Sequence, residues 1–142
     1  MSSYITIHND VTSKAWWNDL IRACAVPGET FEIHCWSDET VETQLALDFG
    51  KRASSTWQGG TVIRGTITRE FLTFLTKMPK PEDTFVYNKM TPFFTIVLGN
   101  RLHSEHYGTE IILSRVDKAS QPAIDRILRE LEPMAIIHRN LG

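Results

Sequence analysis

A chain of 142 residues with 42% apolar and 23% charged residues carries enough hydrophobic material for one ordinary core, which excludes a disordered segment and removes any need for a metal or disulfide staple. Its net charge of −2 argues against a general nucleic-acid binder. The most apolar run, Phe93 through Leu98, is far too short to span a bilayer, and the first ten residues lack the pattern of a secretory leader. The chain is expected to be one soluble cytoplasmic domain over residues 1–142, without contact to a membrane.

In chain order, residues 4–8 alternate as a β-strand, and Thr12 or Ser13 is placed to cap a helix running to about residue 25. Trp16, Trp17, Leu20, Ile21 and Cys24 form its apolar stripe, with Lys14, Asp19 and Arg22 opposite. Pro27 and Gly28 turn the chain into a second strand, residues 30–36, with Phe31, Ile33 and Cys35 on the core side and Glu32, His34 and Trp36 on the other. Residues 37–50 fit two periods. As a helix, Val41, Leu45 and Phe49 fall in register, and as a strand Val41, Thr43, Leu45, Leu47 and Phe49 alternate. Residues 53–60 read as a loop carrying Trp57, residues 61–68 as a strand, and Thr68 as the cap of a helix that buries Phe71, Leu72, Leu75 and Met78 before Pro79 and Pro81 stop it. Strands are expected over residues 84–87, 93–98 and 109–116. A helix capped by Ser120, with Pro122 in its first turn, buries Ile124, Ile127, Leu128 and Leu131, and residues 134–138 make a last strand. The pattern predicts a single α+β domain, a mixed β-sheet with three to four helices packed on it.

The two cysteines, Cys24 and Cys35, fall at apolar positions and read as reduced core residues. No P-loop, dinucleotide fingerprint or nucleophile elbow is present. The stretch from Asn100 to Gly108 contains His103, Glu105 and His106, but a zinc-protease pair needs histidines four apart on one helical face, and here the spacing is three. A polar loop between strands accounts for the same residues, leaving His103 and His106 as secondary candidates for a metal or for a His-dependent hydrolase or nuclease that also draws on His34. No cofactor is expected.

The remaining feature is a surface. Between Ser37 and Gly50 stand Asp38, Glu39, Glu42 and Asp48 with no Lys or Arg, preceded by Trp36 and followed by the loop that carries Trp57. Aromatic anchors among acids are a composition suited to docking a basic protein. In overall character along the whole chain, though in no motif, the sequence resembles the immunity proteins that neutralise bacterial toxins, including those of contact-dependent inhibition systems. That resemblance implies a non-enzymatic inhibitor that occludes a toxin domain, often a basic nuclease, with the four acids standing in for nucleic-acid phosphates. A structural or regulatory subunit of a larger assembly is the other non-enzymatic alternative.

Overall fold

The computed structural model describes residues 2–8, 10–82 and 88–140. The elements run β1 (Ser2–Ile7), α1 (Ala15–Cys24), β2 (Thr30–Trp36), α2 (Thr40–Leu47), β3 (Lys51–Ala53), β4 (Gly60–Thr66), α3 (Arg69–Lys77), β5 (Thr95–Leu98), β6 (Leu102–Glu105), β7 (Glu110–Leu113), α4 (Gln121–Leu131) and β8 (Ala135–Asn140), the last preceded by a 3-10 turn, Glu132–Met134. No helix among the described residues is long and apolar enough to cross a membrane.

The strands form one sheet in the order β3-β4-β2-β5-β6-β7-β1-β8. The α+β class holds, but among the described residues every pairing is antiparallel and the sheet is not mixed. The β1-α1-β2 opening does make two strands of the same direction. The β5-β6-β7 meander then inserts between them, so neither becomes the other's neighbour.

Strand alternation gives the sheet two unlike faces. One row of paired residues, Ile33, Ile96, Ser104, Ile111, Ile5 and Ile137, crosses six strands on the face where the helices pack. Trp17 of α1 is fully buried there and donates from Nε1 to the Ser104 hydroxyl at 3.1 Å. Phe71 of α3 stacks on Phe31 of β2 with ring centroids 4.0 Å apart, and Gly65, paired with Phe31, leaves room for that ring where a Cβ would collide with it. Cys24 and Cys35 are free and buried, and burial pushes their thiols up to about 12 and about 11, so neither is a reactive thiolate.

Local differences from the sequence pattern have physical causes. Neither Thr12 nor Ser13 takes the cap position of α1. Lys14 does, while the Ser13 hydroxyl accepts from the Ala15 amide. Lys14 is not on the solvent side: it is 8% exposed, its ammonium lies over the Trp17 ring, and it donates to the carbonyls of Leu75 (3.1 Å) and Met78 (2.7 Å) at the end of α3. A cation suits those carbonyls, which have no partner within the helix. Thr68 caps α3 as expected, accepting from the Phe71 amide.

Residues 40–47 settle as a helix. Its buried residues are Thr43 and Ala46, while Val41 is 68% exposed, so Val41, Leu45 and Phe49 do not form one buried stripe. Lys51–Ala53 adds a short edge strand where only a loop junction was legible. The expected strand over residues 84–87 lies outside the described residues.

Candidate partner-binding face

The face of the sheet turned away from the helices holds the other half of each strand's residues. Arg64, Glu32, Val97, His103, Ile112 and Tyr4 form one paired row across it. Because β2 alternates, Trp36 ends this strand on the same side as Glu32 and His34. Trp36 is 37% exposed and packs on Trp57 at 5.0 Å and on Phe94 at 4.8 Å between ring centroids. Trp57 stacks in turn on the His34 imidazole at 5.0 Å. A Cβ at Gly59 would strike both indoles, so the glycine is what lets the loop bring Trp57 against Trp36. Trp57 is thus half-buried as a flank of Trp36, not a separate protruding anchor.

The acids divide into three groups. Glu39 is structural. Its Oε1 accepts from the Trp36 amide at 2.7 Å, and its Oε2 accepts from the Tyr107 hydroxyl at 2.8 Å, tying the start of α2 to the β6–β7 turn. Asp38 and Glu42 instead open onto a shallow basin of about 670 Å³ bounded also by Trp36, Ser37, Glu39, Lys89 and Tyr107. Asp48 lies at the far end of α2, beside Val41 and Leu45, and does not join them.

Three contributors escaped the sequence reading: Tyr107, Phe94 and Lys89. Tyr107 is almost fully buried and sits edge-on to Phe94 at 5.2 Å, and the Lys89 ammonium lies 4.2 Å from the Tyr107 ring centroid. The basin therefore has one base among its acids, although none is near in sequence. Tyr107 reaches it through a turn in which His106 and Tyr107 both take left-handed backbone angles, φ +51° and +62°. Such residues cost about 1–3 kcal/mol each and persist where surrounding contacts hold them.

The histidines are not a loop pair. His103 lies on β6, and only His106 is in the turn, since the segment between β5 and β7 folds into a strand of its own. Three imidazoles each have a carboxylate of their own: His34 Nε2 meets Glu32 at 2.7 Å, His103 Nδ1 lies 3.8 Å from Glu105, and His106 Nδ1 pairs with Glu110. Glu32 also takes the Arg64 guanidinium at 2.8 Å, and Glu105 accepts from the Thr95 hydroxyl at 2.9 Å. Burial raises both carboxyls, but these hydrogen bonds outweigh it and leave each below the usual glutamate value. Among the described residues no group of three or more His, Cys, Asp or Glu side chains that could hold a metal ion is found.

What the arrangement offers is a rim of partly exposed aromatic rings beside an acidic basin, at the border of a sheet face laced with imidazole–carboxylate pairs. No protein-family model, curated protein or solved structure matches the chain.

Proposed function

We propose that this chain is a non-enzymatic inhibitor of the immunity type, a cytoplasmic protein that binds a toxin domain with a basic surface and occludes it. The observation that carries the reading is the convergence of Trp36, Asp38 and Glu42 on one open basin. Asp38 and Glu42 attract the lysines and arginines that such a toxin uses to hold its own anionic substrate, and an acidic field of this kind speeds encounter. Trp36, backed by Trp57 and Phe94, supplies the rigid apolar anchor on which affinity concentrates. Inhibition is then steric, with no bond made or broken, and no metal, cofactor, membrane or direct nucleic-acid contact takes part.

The test uses the protein as bait in a lysate of its native cell, beside an Asp38→Lys/Glu42→Lys variant. Glu39 is left intact because reversing it would also strip Tyr107 of its acceptor. The wild type is expected to retain a basic protein that salt releases, and the variant to lose it. Equal retention by both baits would remove the acidic basin from the account.

A second reading rests on a different observation, the Arg64–Glu32–His34 chain, in which a fixed carboxylate orients an imidazole as in general-base catalysis. It predicts a hydrolytic activity that His34→Ala abolishes while binding of the basic partner survives.

A further inference from the structure

At the strained β6–β7 turn, Tyr107 bonds to two segments that are far from it in sequence or in direction. Its amide donates to the Phe94 carbonyl at 3.0 Å, and its carbonyl accepts from the Met90 amide at 2.8 Å. Its hydroxyl donates to Glu39 Oε2 at 2.8 Å. The left-handed angles at His106 and Tyr107 are thus held by contacts on both sides of the turn. Gly108 completes it at φ +85°, where an added Cβ would fall 2.8 Å from the Met90 Cβ and 3.0 Å from Trp17 Nε1, so the turn is seated directly against the core.

Glu39 passes that constraint to Trp36. Its Oε1 accepts from the Trp36 amide at 2.7 Å while its own amide donates to the Trp36 carbonyl at 2.9 Å, a reciprocal pair that closes the corner between β2 and α2. A carboxylate bonded through both oxygens, one of them to an almost fully buried phenol, is fixed at both ends. The Trp36 ring is held from another direction. Phe94, which meets the Tyr107 ring edge-on at 5.2 Å, packs on the indole at 4.8 Å. Two paths therefore run from Tyr107 to Trp36, one ending at its backbone and one at its ring.

We propose that Tyr107 is the positioning residue of the Trp36 rim: acting through Glu39 and Phe94, it holds the indole and the start of α2 in their binding geometry before a partner arrives. An anchor ordered in advance loses less conformational freedom on binding, which is how preorganisation raises affinity. The proposal rests on the reading of that rim as a docking anchor, but its test needs only the free chain.

Amide exchange read residue by residue in the full chain supplies that test. Tyr107→Phe removes the hydroxyl and keeps the ring. Exchange at the Trp36 amide, whose acceptor is the Glu39 side chain, should quicken by about threefold or more relative to Ile33, which lies in the middle of the same strand between β4 and β5; that is the scale of coupling within one hydrogen-bond network. A hydroxyl that only stabilised the fold would move both amides alike. Glu39→Ala should deprotect the Trp36 amide outright, and adding Tyr107→Phe to it should change nothing further there, because the hydroxyl reaches that amide through the carboxylate. An unchanged ratio of Trp36 to Ile33 exchange in Tyr107→Phe, or an equal effect of that substitution in the Glu39→Ala background, overturns the proposal. Failure of the bait experiment to retain a basic protein would instead remove the docking reading and leave these exchange rates as predicted.

Discussion

The same strands present two surfaces that obey different rules. On the helix side, Ile5, Ile33, Phe31 and Ile96 are fully buried, and the buried Lys14 is held by helix carbonyls. On the other side the polar groups are partnered too, but by ionic contacts that remain open to water: the Arg64 side chain is 50% exposed, and those of His103 and His106 are each 41% exposed. The contrast teaches which face stabilises the fold. Burial of apolar surface stabilises the fold from one side and leaves the other free to carry indoles and carboxylates, because exposed ion pairs contribute little to stability.

If that division is right, substitutions should separate cleanly by face. The largest effect on folding is expected from Phe31→Ala, which removes the ring stacked on Phe71 and opens a cavity under α3, at a cost of about 3–5 kcal/mol in denaturant unfolding. Trp36→Ala should leave the unfolding midpoint nearly unchanged and cost about 2 kcal/mol or more in binding of the retained partner, a value typical of a central anchor. A large loss of stability from that change would make Trp36 a core residue and erase the distinction.

Lys14→Met should destabilise by about 1–3 kcal/mol by leaving the carbonyls of Leu75 and Met78 without their donor. Burial, helped by Arg22, pushes the Lys14 ammonium down to about 8. An amine depressed in the folded state binds fewer protons there than in the unfolded chain, so its own contribution to stability rises as pH climbs from about 8 toward the ordinary lysine value. Wild type minus Lys14→Met should show that rise, and a flat difference would place the ammonium in water.

The smallest effect is at acid pH. Glu29, held low by Arg101, and Glu32 and Glu105, held low by their partners against burial, all ionise more readily in the folded chain. Their contribution is complete above the usual glutamate value and is lost as pH falls through their lower folded values. A shallow loss of stability confined to that acid range is expected, and a decline beginning near neutrality would contradict it.

The parts of this molecule that sequence revealed are those written in short periods. β2 alternates without a fault, and the stripes of α1, α3 and α4 follow helical spacing, so their buried faces were legible. α2 was not, because Val41, Leu45 and Phe49 satisfy both periods, and the helix buries only the small side chains of Thr43 and Ala46 while Leu45 and Leu47 pack partly against the core. Sheet order was hidden for another reason: β1 lies between β7 and β8, partners more than a hundred residues away, and nothing local encodes that choice. The site shows the same boundary. Trp36, Asp38 and Glu42 are sequence neighbours and could be read together, whereas Lys89 and Tyr107 reach the basin only through tertiary contacts. Lys14 was misread because it precedes the first helical turn, where the face opposite the stripe no longer means solvent.

The central claim is that Asp38 and Glu42 steer a cationic protein onto the Trp36 rim. The most direct measurement is the association rate of the retained partner with wild type and with Asp38→Lys/Glu42→Lys, followed over increasing salt. The account predicts a fast wild-type rate that falls steeply as salt screens the acids, and a slower variant rate that scarcely responds. Two rates of equal size and equal salt dependence would contradict it.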